Sequence, residues 1–227
     1  MGVRQRLVKI FIFLICLAML GVIAVQWRLI KLPPQNLNEA PGWFTAYKLK
    51  SLDLDPEACS VALDQAGIDG TLQPDEAESA TCQKQGTVLL SKLSGARMKE
   101  EQTRCNIAAR LYMWERNVVQ PAARRYFHQS VAEVTHLGSY NCRTIHGSSH
   151  MSEHATANAI DITGFKLANG KLISIRIDWN KTGPESDFLH EMRAGICKYY
   201  NLTLSPDYNA DHADHFHVDM GWVRGCH

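Results

Sequence analysis

Residues 10–25, "IFIFLICLAMLGVIAV", contain no polar side chain, and Trp27, Leu29 and Ile30 carry the apolar character past single polar residues. At about 1.5 Å per residue, this segment with its flanks just crosses a hydrocarbon layer of about 30 Å. It divides the chain into a cytoplasmic tip with a transmembrane signal anchor, residues 1–31, and a remainder of about 190 residues, enough for one domain with a sizeable core. Arg4, Arg6, Lys9 and the terminal amine precede the run, whereas Arg28 and Lys31 follow it. That small positive-inside bias puts the bulk of the chain outside the cytoplasm. A cleaved signal peptide would share the charged start and short apolar core, but no clean A-x-A site is present, so an uncleaved single-pass anchor is expected. "KLPPQNLNEAPGW" reads as an extended, proline-marked linker, giving residues 32–54 as linker and 55–227 as domain.

Cysteine usage agrees with export. Cys16 lies in the apolar run, leaving an even set outside it: Cys59, Cys82, Cys105, Cys142, Cys197 and Cys226. None forms a C-x-x-C pair, which argues against a zinc ribbon or a thioredoxin-like motif. Three disulfides in an oxidising compartment are expected, with Cys197 paired to Cys226. Residues 1–31 hold five basic and no acidic side chains, so the remainder carries 19 basic against 23 acidic. A mildly acidic domain without a basic stripe is a poor nucleic-acid binder.

No repeat or second linker breaks the chain after residue 45. Ile107, Leu111, Trp114 and Val118 recur at helical spacing, and Pro121 suits the first turn of a further helix, "PAARRYFHQSVAEV". The second half changes period. "LISIRIDW" alternates, with Ile173, Ile175, Ile177 and Trp179 on one face, and Asn169-Gly170 is a hairpin signal between it and "AIDITGFKL". "HFHVDM" puts His215, His217 and Asp219 on one face and Phe216, Val218 and Met220 on the other. The fold class expected is α+β, a helical N-terminal half packed on a small antiparallel sheet that carries a zinc site.

Two segments, "SEHATANAID" (152–161) and "HADHFHVDMG" (212–221), concentrate the histidines. Histidine and aspartate are costly to bury without partners, and a metal would supply one. His154 and Asp161 are seven apart, about 10 Å along a helix and on opposite faces of a strand, so sharing an ion requires the chain to turn between them. The small residues of "ATANAI" permit that turn. Asp161 then opens the outgoing strand, and His217 on a neighbouring strand can supply a third ligand. Two imidazoles and a carboxylate form a catalytic zinc set with a fourth position left for water. His215, one pleat or about 7 Å from His217, would flank the metal and move a proton.

Ser152, His154, Ala159 and Asp161 match the S-x-H-x-x-G-x-A-x-D pattern, and His215-Phe216-His217 the H-x-H pattern, of the zinc metallopeptidases that include lysostaphin, the D-alanyl-D-alanine carboxypeptidases and the hedgehog signalling domain. "SEHATANAIDITGF", "GSYNCR", "SPDYNADHADHFHVDM" and the cysteine pattern resemble the bacterial extensin-like C-terminal family over roughly residues 55–227. The resemblance implies His154, Asp161 and His217 as Zn2+ ligands, His215 as the catalytic histidine and peptidoglycan peptides as substrate. With the apolar run and the cysteines read above, a bacterial inner-membrane protein is expected, anchored through residues 10–30, with its C-terminal domain in the periplasm. Ala157 departs from the broader pattern, which has glycine, and alanine would be strained there if the position needs positive φ.

Arg143, as a fork for a carboxylate or oxyanion, His212, as a substrate contact, and Asp219, as the partner of a ligand imidazole, complete the candidates. His146, His150 and Glu153 lie near without an assigned role, and the sequons at Asn180 and Asn201 carry no weight. The leading expectation is a peptidoglycan peptidase, endopeptidase rather than carboxypeptidase. Its rivals are a zinc-stabilised binding or scaffold module without catalysis and a structural envelope protein whose histidines bind no metal.

Overall fold

The structure is a computed structural model that describes residues 3–26 and 35–227. It separates into two compact units, Met1–Pro33 and Pro34–His227. The first contains α1 (Val3–Gln26), a helix long and apolar enough to cross a membrane, along which Phe11, Leu14 and Leu20 are exposed. Trp27, Arg28, Leu29, Ile30 and Lys31, and the start of the expected linker, lie outside the described residues.

The second unit begins earlier than the sequence suggests. Residues 35–54 are not a linker: Leu37, Leu49 and Leu52 are buried in the core, the last two on α2 (Thr45–Leu52). Asp53, just past α2, takes two contacts from buried Arg110, Nη1 at 2.6 Å and Nη2 at 3.0 Å. Arg110 Nε also donates to the Tyr199 carbonyl at 2.9 Å. One buried guanidinium thus joins three distant chain segments, a link that hydropathy does not reveal.

After α3 (Pro56–Gln65) come the short pair β1 (Glu76–Ala77) and β2 (Gln83–Lys84), then β3 (Thr87–Lys92) and β4 (Arg97–Arg104). A continuous helical run follows: α4 (Cys105–Trp114), a π-helical turn Glu115–Val119, and α5 (Gln120–Phe127). Pro121 does stand in the first turn of α5, but this helix continues the run before it and ends at Phe127, so Val131–Val134, expected to extend it, begin a strand instead. Pro121 lacks the N–H that an α-helix would bond four residues back, and the wider turn before it accommodates that loss. Glu115 in this turn is buried, accepts from Gln120 Nε2 at 2.6 Å and from Gly95 N at 3.1 Å, and so ties the β3–β4 turn to the helix.

The chain returns as β5 (Val131–Gly138), β6 (Ala159–Leu167) and β7 (Leu172–Ser174), then α6 (Ile175–Asp178), α7 (Pro184–Ile196), β8 (Leu202–Leu204), β9 (Phe216–Asp219) and β10 (Gly225–Cys226). The main sheet runs β10-β8-β9-β6-β5-β4-β3, with β7 also on β6. It is mixed rather than antiparallel, because β4 pairs parallel with β5 and β8 with β10. The helical run between β4 and β5 is what permits the first parallel pairing. The N-terminal half is correspondingly not purely helical, since it supplies β3 and β4.

"LISIRIDW" is strand only as far as Ser174. Asp178 Oδ2 accepts from Ser174 N at 2.9 Å and closes the start of α6. Ile175 and Trp179, four apart, are buried, whereas Ile177 is exposed. The apolar spacing therefore served a strand end and a helix face in turn. The Asn169-Gly170 turn does join β6 to β7, with Gly170 at φ 88.

The core lies between sheet and helices, where Phe165 of β6 meets Trp114 at 5.8 Å and Phe188 at 5.2 Å between ring centroids. Disulfides link Cys59 to Cys105, Cys82 to Cys142, and Cys197 to Cys226 as expected, and Cys16 stays free. Bridges of this kind mark the unit as extracytoplasmic. Replacing Arg110 with Ala strands the Asp53 carboxylate, so urea unfolding followed by tryptophan emission should show a loss of about 3–5 kcal/mol. Substituting both partners by apolar residues should recover part of it.

Candidate metal centre

The site is assembled by one turn and one strand pair. Ser152 precedes a 3-10 turn, Glu153–Thr156, and its Oγ accepts from His154 N at 3.3 Å. The turn ends at Ala157, which sits in the left-handed region at φ 51, ψ 26 and is fully buried. The pattern position usually held by glycine does need positive φ, and here alanine bears it. The Ala157 carbonyl accepts from Arg104 N at 3.0 Å. Asn158 Nδ2 donates to Glu153 Oε2 at 2.6 Å, completing the reversal into β6.

Asp161 and His217 are direct partners in the β6–β9 register. Ile160 and Ile162 on one strand, and Phe216 and Val218 on the other, belong to the core, so the polar residues between them face away from it. His154 Nε2 lies 3.1 Å from Asp161 Oδ1 and 3.1 Å from His217 Nδ1, and His217 Nδ1 is 3.0 Å from Asp161 Oδ1. Both imidazoles are held from behind by acceptors. His154 Nδ1–H donates to the Ser139 carbonyl at 2.8 Å, and His217 Nε2–H donates to Asp219 Oδ2 at 3.0 Å. Those acceptors fix the tautomers and turn the remaining lone pairs inward, onto a carboxylate oxygen. Three acceptors facing one another need a proton or a cation among them. This is the group of side chains able to hold a metal among the described residues.

Electrostatics reflect the same convergence. Burial opposes ionisation of Asp161, but hydrogen bonds from His154 and His217 and their charge hold its carboxyl well below the usual range. Burial also opposes a charged His217, yet its hydrogen bonds to Asp161 and Asp219 and the attraction of both carboxylates outweigh it and raise the imidazole to about 9.

His215 lies immediately before β9, nearer the centre than the one-pleat expectation, with Nε2 3.6 Å from Asp161 Oδ1 and Nδ1 2.9 Å from Asp214 Oδ1. His212 stands over the site on the 3-10 turn Ala210–His212, its ring centroid 5.2 Å from that of His215 and 5.9 Å from that of His217. Burial, reinforced by the charges of His215 and His217, lowers His212 to about 4, and its Nδ1 contacts Asn209 Oδ1 at 2.6 Å.

Asp219 carries a second load, since its Oδ1 accepts from Gly221 N at 2.8 Å. A Cβ at Gly221 would come within 2.5 Å of Glu153 Oε1, so a larger residue there would push the Glu153 carboxylate aside. Arg143 is not brought into the cluster. It is exposed, and its guanidinium donates to the Thr144 carbonyl at 3.4 Å. His146, without a role in the sequence reading, bonds Asp211 Oδ2 at 2.8 Å and joins the 141–151 loop to the turn that bears His212. Ser139 is the residue that sequence reasoning missed. Its carbonyl orients His154, and its buried hydroxyl donates to the Ala159 carbonyl at 2.6 Å. A backbone acceptor carries no side-chain signature, so only its place in "GSYNCR" hinted at it.

A disulfide-braced α+β domain bearing a His–Asp–His donor triangle on one sheet face is the class this architecture defines. The family model described as "Extensin-like protein C-terminus" matches residues 57–227, and the chain belongs to that family. No curated protein and no solved structure matches the chain.

Ala157 supplies a direct check on the turn. Ala157→Gly should change unfolding free energy by less than about 1 kcal/mol, because relief at positive φ is offset by a freer unfolded chain. Ala157→Val adds a branched side chain at the same φ in filled space and should cost about 2 kcal/mol or more in chemical denaturation.

Proposed function

We propose that this chain is a zinc-dependent peptidase of the bacterial cell wall, held in the inner membrane by α1 with its domain in the periplasm, cutting peptidoglycan stem peptides or cross-links as an endopeptidase. The observation that carries the reading is the triangle of His154 Nε2, Asp161 Oδ1 and His217 Nδ1, at 3.0 to 3.1 Å, with both outer ring nitrogens already engaged. Ligands at about 2.0–2.2 Å from one tetrahedral ion lie about 3.3–3.6 Å apart, so the donor set fits Zn2+ with an outward movement of a few tenths of an ångström. The nitrogen and oxygen donors, and three protein ligands rather than four, suit a catalytic zinc with an open position.

The substrate rests on the motif resemblance to the lysostaphin and D-alanyl-D-alanine carboxypeptidase group, and the compartment on α1 together with the disulfides. Zinc held by His154, Asp161 and His217 would supply Lewis acidity, to activate water and polarise the scissile carbonyl. His215 does the proton work: Nε2 takes the proton of the attacking water and passes it to the departing amine, while the Asp214 carboxylate on Nδ1 steadies the imidazolium between the two transfers. His212, held neutral by its surroundings, hydrogen-bonds the substrate beside it. Asp219 positions His217.

The purified full chain should contain about one zinc per molecule, lost in His154→Ala and His217→Ala, by elemental analysis. Asp219→Asn should weaken zinc affinity by about 10–100-fold in competition with a chromogenic chelator. Mass spectrometry of sacculi digested with the zinc-loaded chain should reveal new stem-peptide or cross-link products that disappear with chelator. His215→Ala should keep its zinc while turnover falls by about 100-fold or more. A folded chain that holds one zinc and yields no products would replace this reading with a zinc-stabilised binding module.

A further inference from the structure

Helix α2 is apolar on two sides. Thr45, Leu49 and Leu52 are buried. Tyr47 and Lys50 lie on the side of the helix away from these, and Trp43, Phe44 and Leu54 are exposed in the segments that flank it. Trp43 is fully exposed, Phe44 is 72% exposed and Leu54 59%. Aromatic side chains of this size are seldom left wholly in water without a use.

We propose that this surface is a lipid-docking surface, with Trp43, Phe44, Tyr47 and Leu54 seated at the boundary between headgroups and acyl chains and Lys50 against anionic headgroups. Three features point to lipid. Tryptophan and tyrosine combine an apolar ring with a polar N–H or O–H, the combination that favours a membrane interface. Residues 40–52 contain two lysines and no acid. The flanking acids are engaged elsewhere, Asp53 by Arg110 and Glu39 by Asn36 Nδ2 at 3.3 Å. Finally, residues 27–34 separate the folded unit from a helix of membrane-spanning length, and that connector extends to at most about 30 Å. A weak interfacial contact gains from such tethering, since the second contact becomes intramolecular.

The inference rests on the anchor part of the proposed function and is independent of the zinc chemistry. The full chain would be reconstituted in vesicles of a zwitterionic and an anionic phospholipid, with and without brominated acyl chains. The emission of Trp43 is the difference between wild type and Trp43→Phe, which removes the contribution of the other four tryptophans. Brominated lipid should quench roughly half or more of that difference emission, and the quenching should drop in Phe44→Ser/Tyr47→Ser, whose exposed sites leave the melting temperature unchanged. An unquenched difference spectrum from a chain that survives an alkaline carbonate wash would overturn docking while leaving the anchor intact. A chain released by the wash would overturn the anchor reading and this inference together. Binding to insoluble sacculi that is lost in Trp43→Ser, without lipid quenching, would assign the face to the cell wall instead.

Discussion

The register between β6 and β9 sets the site. Asp161 stands opposite His217, and Ile160 opposite Val218, so the pairing that buries the isoleucines is the one that presents the carboxylate to the imidazole. A slip of one residue would turn Phe216 and Val218 outward and bury His217 and Asp219 among apolar side chains. The hydrophobic cost of that slip protects the donor geometry. β6 is shared by β5, β7 and β9, which leaves it little freedom to shift. Site precision is thereby derived from core packing, and the functional atoms need not hold the strands together themselves.

The third donor is held by different means. His154 is carried by a turn, and turns are ordinarily the mobile parts of a domain. Here the turn is buried and stitched: Ser139 accepts from His154 Nδ1 through its carbonyl, and its hydroxyl reaches the Ala159 carbonyl, while Arg104 N takes the Ala157 carbonyl. Buried polar groups satisfied in this way define a unique arrangement. The left-handed conformation of Ala157 is part of the same compromise, since it lets the chain reverse within the few residues between His154 and Asp161.

Much of this was legible in the chain. The seven-residue separation of His154 and Asp161 required a turn, the alternation of "HFHVDM" gave His217 and Asp219 a common face, and cysteine parity gave three bridges including Cys197–Cys226. What escaped has physical reasons. "LISIRIDW" fits two periods at once, and a carboxylate four residues on, Asp178, decided for the helix. β4, "RMKEEQTR", lacks apolar alternation because much of it faces solvent. Leu37, Leu49 and Leu52 looked like linker because their anchorage, the Arg110–Asp53 pair, spans 57 residues of sequence. Local pattern reports local structure, and these features were determined by contacts far along the chain.

The donor triangle also explains why a polar cluster is tolerated beside a core. Three converging acceptors would repel one another if nothing lay between them, and each has been taken from water. Removing the repulsion by rotating an imidazole away would abandon the hydrogen bond to the Ser139 carbonyl or to Asp219, leaving a buried N–H without an acceptor. Without a metal, the proton that the raised His217 retains lies among these groups and offsets their repulsion, so a cation entering the triangle would have to displace it. Strand register and fixed hydrogen-bond acceptors, not an occupant, therefore set how these three side chains converge.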